Sequence, residues 1–143
     1  MTASFKPHGH RFILHGLRWT LAAVFIYAGW EKLGSPADFS ESIASFSILP
    51  YSLINPLALA LPPFEIVLGL AIIIGFQRRP ALLALVALNV VFSLALGSAI
   101  ARGIRVDCGC FGPGSLSTSE GWDLARDFLL LAVGLILYRA ELR

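Results

Sequence analysis

The chain is short of charge and almost without cysteine. Of its 143 residues only 14% are Asp, Glu, Lys or Arg, against 57% hydrophobic, and the mean hydropathy is +0.77. A soluble domain carries nearer a quarter charged residues, so the composition excludes an ordinary water-solvated globule and points to lipid as the solvent. The formal charge of +2 is small and its basic residues are scattered, which argues against nucleic-acid binding. Two cysteines, Cys108 and Cys110, exclude a disulfide framework and an internal relay between two disulfides. No cysteine falls in an apolar stretch, so thiol electrons have no route across a bilayer within this chain. After the first apolar stretch no small-x-small pattern follows, and we expect no signal-peptide cleavage there.

What is present is a set of four long apolar stretches, at about residues 13–30, 53–76, 81–101 and 122–138. Each approaches the roughly 20 residues needed to cross the hydrocarbon core. Backbone polar groups have no water to bond in that core, so helices are expected. The predicted fold is all-α: one integral-membrane domain over residues 1–143, a four-helix transmembrane bundle.

Between the first two stretches, Ser35-Pro36-Ala37-Asp38 reads as a helix start: a capping serine, proline at the first helical position and an acid at the positive dipole end. Phe39, Ile43 and Phe46 then recur at helical spacing. This predicts a short amphipathic helix on the outer membrane surface, with a lid or docking role beside the cysteine loop as the sharper reading.

An even number of spans puts both termini on one side with Arg78 and Arg79. That side collects Lys6, Arg11, Arg18, Arg139 and Arg143, whereas the other has Lys32, Arg102, Arg105 and Arg126 among several acids. The positive-inside rule makes the first side cytoplasmic. The expectation is a multi-pass protein of the inner or plasma membrane, its termini cytoplasmic and its 102–121 loop extracytoplasmic.

That loop holds the only thiols, in Asp107-Cys108-Gly109-Cys110-Phe111-Gly112. A disulfide across one residue demands a sharp turn, which Gly109 eases, and strained or exposed bridges are the more easily reduced. Arg102 and Arg105 favour a thiolate and Asp107 opposes it. Three readings stand: disulfide exchange with an extracytoplasmic partner, which the oxidising compartment favours; a static bridge stiffening the loop; and soft-metal binding, for which two thiolates need further ligands. His8 and His10 fall across the membrane from the pair, and no metal site is assigned. A redox role needs an outside partner, either a thioredoxin-like protein or a quinone. Beyond the loop, Ser117-Thr118-Ser119-Glu120 resembles a capping box, and Asp123, Arg126 and Asp127 are spaced to pair on one helical face.

Glu65 lies within the second stretch, where an ionised carboxylate is costly. It must be protonated, paired or turned to a polar cavity. Pro62 and Pro63 just before it remove two backbone donors, which predicts a kink or break and leaves the carbonyls of Ala58 and Leu59 without their usual partners. A protonated Glu65 donating to such a carbonyl is one reading; a proton relay or quinone site is the other. Asn89 in the third stretch is a candidate partner, and Gly29, Gly69, Gly75 and Gly97 suit close helix packing.

Ala28-Gly29-x-x-Lys32-Leu33, Pro36 with Phe39, Leu61-Pro62-x-x-Glu65 with Gly69, and Asp107-Cys108-Gly109-Cys110-Phe111-Gly112 together resemble the MauE branch of the DoxX-like membrane proteins, over about residues 12–138. The resemblance implies a four-helix membrane protein of methylamine utilisation. It implies a role in the maturation or export of the disulfide-rich small subunit of methylamine dehydrogenase, beside a thioredoxin-like MauD partner. Cys108 and Cys110 then form a redox pair, and the chain is a component of a thiol-disulfide oxidoreductase system. The alternatives are a quinone-linked oxidoreductase subunit of DoxX type, with Glu65 near the quinone, and a small metal-handling membrane protein.

Overall fold

A computed structural model describes residues 8–104 and 120–143; Cys108 and Cys110 lie outside the described residues. The described chain is all-helical: α1 (His8–Gly34), α2 (Pro36–Ser45), α3 (Tyr51–Ile74), α4 (Arg78–Ala101) and α5 (Glu120–Leu142). Among the described residues, three helices are long and apolar enough to cross a membrane, over Arg11–Gly34, Tyr51–Ile74 and Arg78–Ala101. At about 1.5 Å per residue, 24 residues reach about 36 Å, which exceeds the hydrocarbon thickness. The fourth apolar stretch forms α5, which packs on α4 and α1 but is not among those three.

The faces these helices turn outward are apolar. Phe64, Val67, Leu83, Val91 and Leu94 are all exposed, as suits side chains solvated by lipid rather than water. Inside, Leu21, Ala22, Phe25, Leu68, Ile72, Leu82, Leu85 and Leu137 form the main core, drawn from α1, α3, α4 and α5.

The most extensive helix pair is α1 with α3, and glycine explains why. A Cβ on Gly29 would lie 2.8 Å from the Pro62 carbonyl oxygen, and one on Gly69 would lie 3.1 Å from that of Ala22. Each helix thus presents a glycine where the other's backbone comes closest. Gly97 differs from the packing expectation: nothing stands within 4 Å of its Cβ position. Gly75 serves as a cap instead, at φ 88°, with its N–H donating to the Ala71 carbonyl at 3.0 Å. Nor do the prolines break α3, which runs continuously through Pro56, Pro62 and Pro63.

Helix α2 starts where the sequence places it, with Ser35 at the N-cap and Pro36 at the first helical position, although the Ser35 side chain makes no capping hydrogen bond. Its apolar face turns into the protein. Phe39 and Ile43 bury against Ile54 and Ala58 of α3, and Phe46 buries against Leu96 and Ala99 of α4. The spacing is amphipathic as expected, but its apolar side is taken up by neighbouring helices. Arg102 fastens this end: its guanidinium donates to the Phe46 carbonyl and, at 3.2 Å, to that of Ser98.

Candidate functional site: a buried ion pair on a lipid-side cavity

Glu65 is the acceptor of an ion pair. Lys32 Nζ donates to both of its carboxylate oxygens at 2.8 Å, and the two side chains are 2% and 6% exposed. The antiparallel α1–α3 packing makes this reach possible. Side chains tilt toward the N-terminus of their own helix, so Lys32 leans inward from the end of α1 while Glu65 leans outward along α3. Gly29, one turn before Lys32, brings the two axes close enough for the side chains to meet.

The pairing answers the cost raised by the sequence. Two opposite charges buried together form a net neutral unit, and the carboxylate gains two charge-assisted hydrogen bonds. The ammonium is also wrapped by rings, 5.1 Å from the centre of Phe39 and 5.7 Å from that of Phe92. Such cation–π contacts strengthen away from water. Phe92 is in turn braced edge-on by Phe46, with ring centres 6.0 Å apart. Helices α1, α2, α3 and α4 therefore all contribute to the site.

Glu65 is thus held by a lysine, and the alternative of donation to a proline-freed carbonyl is set aside. Asn89 is buried nearby and accepts a hydrogen bond from Ser93 Oγ at 3.4 Å, rather than bonding Glu65. Sequence reasoning counted Lys32 only among the cations of the outer side and did not name it as the partner of Glu65; it is 3% exposed. The available signal was the carboxylate itself, since a lone acid in an apolar span calls for a cation on a neighbouring helix.

A cavity of ≈ 140 Å³ adjoins the pair. Lys32, Glu65, Asn89, Arg126 and Asp127 all line it, in walls that are otherwise apolar and aromatic. Arg126 and Asp127, which the sequence spaces to pair with Asp123 on one helical face, both line this space, and Asp127 is buried. The side chain of Asp123 lies outside the described residues. Among the described residues, no group of three or more His, Cys, Asp or Glu is placed to hold a metal ion.

The thiol segment joins the molecule at this same end. Ile104, before it, and Leu124, after it, both pack on the cluster of Phe46, Leu96 and Ala99.

Comparison with known proteins bears on this geometry. Residues 10–140 match the family model described as methylamine utilisation protein MauE. The chain is similar to the methylamine utilization protein MauE of Paracoccus denitrificans, 33% identical over 87% of this chain and 68% of that protein. The namesake of Methylophilus methylotrophus is 32% identical over 84% of this chain and 63% of its own length, so the chain spans about two thirds of these relatives. That of Paracoccus versutus is 34% identical over 83% and 64%. No solved structure matches the chain.

Proposed function

The chain belongs to the MauE family, and from that footing we propose that it exchanges disulfides through Cys108 and Cys110 so that an exported protein matures. The observation that carries the reading is the placement of both ends of the thiol segment. Ile104 and Leu124 pack beside α2, at the end of the bundle opposite Glu141, Arg18 and Arg79. With the arginine-rich end cytoplasmic, the pair works in the oxidising compartment, on a multi-pass protein whose fourth crossing is α5.

The chemistry is two successive substitutions at sulfur. A thiolate of one protein attacks a sulfur of the other's disulfide and forms a mixed disulfide; the neighbouring thiolate then displaces it. The bond passes one way while two electrons and two protons pass the other. With a single pair, the chain needs a second dithiol protein for each turnover. A thioredoxin-like extracytoplasmic protein of MauD type fits that need, and the relatives' printed role in methylamine utilisation supports the methylamine dehydrogenase small subunit as the client.

The test is to substitute each cysteine singly, Cys108→Ser and Cys110→Ser, and quench cells in acid before non-reducing electrophoresis. Removing the resolving thiol stalls exchange at the mixed disulfide, so one of the two variants accumulates a reductant-sensitive adduct with a thioredoxin-like protein, and the double variant does not. Absence of the adduct from both single variants, with the partner present, contradicts the proposal.

A further inference from the structure

The end of the bundle opposite α2 carries positive charge that its own residues do not balance. Arg11, Arg18, Arg78, Arg79 and Arg139 gather there, from α1, the start of α4 and the last turns of α5, against one acidic side chain, Glu141. Fully hydrated cations need no counter-charge, but these are not all hydrated. Arg18 is 8% exposed; one of its terminal nitrogens pairs with Glu141, and its Nε has no hydrogen-bond partner. The Arg78 Nε is likewise buried without a partner, with the guanidinium lying over Gly75. Arg79 gives its Nε to the Glu141 backbone carbonyl. Its side chain is exposed, and its terminal nitrogens make no hydrogen bond among the described residues.

The helices form a notch at this end. The register that sets Gly69 against Ala22 brings the end of α3 level with Leu17, so α1 runs on past it by roughly two turns. Arg11, His15 and Arg18 follow at i, i+4 and i+7 along one face of α1, and the bond from Arg18 to Glu141 turns that face toward α5. Around the same level the outer surface is apolar, with Ile13, Ile74, Phe76 and Leu142 all more than half exposed. Cations above an apolar collar mark the boundary between hydrocarbon and headgroups.

From this combination we infer that the notch between α1 and the ends of α4 and α5 binds the headgroup of an anionic phospholipid. Its phosphodiester accepts from Arg79 and Arg11, and its acyl chains lie on the apolar surface beneath. Guanidinium forks match phosphate oxygens, and basic pockets between spans hold such headgroups. A choline or ethanolamine lipid also offers a phosphate, but it adds a cation where cations are already in excess. The site is built from described residues and stands independently of the thiol reading.

The experiment titrates the full chain in detergent micelles with phosphatidylglycerol or phosphatidylcholine of the same acyl chains and reads retained lipid by native mass spectrometry. Phosphatidylglycerol should bind saturably and at least about fivefold more tightly, the factor that one arginine contributes beside an anionic headgroup. Glycerophosphoglycerol and inorganic phosphate, which carry the charge without the chains, should displace it only weakly. Arg79→Gln and Arg11→Gln should each weaken phosphatidylglycerol severalfold, whereas Arg102→Gln, the same charge loss at the opposite end, should not. Glu141→Gln frees Arg18 for the phosphate and should tighten binding, a gain that structural damage does not produce. Size-exclusion and circular dichroism report whether each variant is folded, and if Glu141→Gln is not, the exposed Arg11 and Arg79 variants decide. Equal binding of the two lipids, or equal losses from Arg79→Gln and Arg102→Gln, would reduce the effect to bulk charge and overturn the inference. So would binding that is not tightened in a folded Glu141→Gln variant. Displacement by inorganic phosphate at the concentration of the lipid would mark a soluble-anion site and overturn it as well.

Discussion

At the scale of single residues, the account turns on Lys32 and Glu65. Each charge is bearable in an apolar interior only because the other is present, so removing one leaves an uncompensated buried ion. Lys32→Met or Glu65→Leu alone should each destabilise the fold by about 3–5 kcal/mol, whereas the double variant should be close to neutral. A double-mutant cycle read by reversible unfolding in mixed micelles checks this; additive losses would contradict a coupled pair. The carboxylate half of the pair was legible, because an acid in the second apolar stretch has few physical options. Its partner was not, since Lys32 stands at the end of the first stretch, where cations are common. Only the tertiary approach of α1 to α3 shows that it points inward.

At the scale of helices, that approach depends on backbone contact. A methyl group on Gly29 would meet the Pro62 carbonyl at 2.8 Å, whereas Gly97 has open space around it. Gly29→Ala should cost about 1–3 kcal/mol through overpacking and disturb the ion pair one turn away, while Gly97→Ala should be neutral or slightly stabilising. Thermal inactivation of the two purified variants compares them directly. Glycine content alone did not separate these positions, because a helical glycine looks the same in sequence whether or not a neighbouring backbone approaches. The α2 pattern behaved likewise: Phe39, Ile43 and Phe46 announced an amphipathic helix correctly, but periodicity does not say whether lipid or protein covers the apolar face. The prolines of α3 show the reverse limit, since helix propensity measured in water does not forbid a continuous helix packed among other helices.

At the scale of the whole molecule, polar groups gather at opposite ends. Arg18 pairs with Glu141, and Arg79 Nε donates to the Glu141 carbonyl at 2.8 Å, so the C-terminal turn of α5 is tied to α1 and to the start of α4. Glu141→Lys should loosen that end and place like charges beside Arg18, with α5 amides exchanging faster in hydrogen-exchange measurements. The other end holds α2, the ion pair, the cavity and both attachments of the thiol segment. Helix number and order were legible from hydropathy, with all four long stretches appearing as helices. The cavity was not, because its lining is drawn from all five helices at positions far apart in the chain, a feature of tertiary packing with no periodic signature.

The central claim is that Cys108 and Cys110 form a redox pair on the extracytoplasmic face. Intact cells treated with a membrane-impermeant maleimide, with and without prior reduction, test it most directly. The account predicts little modification before reduction and modification of both cysteines after it, without permeabilisation. Modification only in permeabilised cells would invert the topology, and full modification without reductant would remove the disulfide; either result contradicts the account.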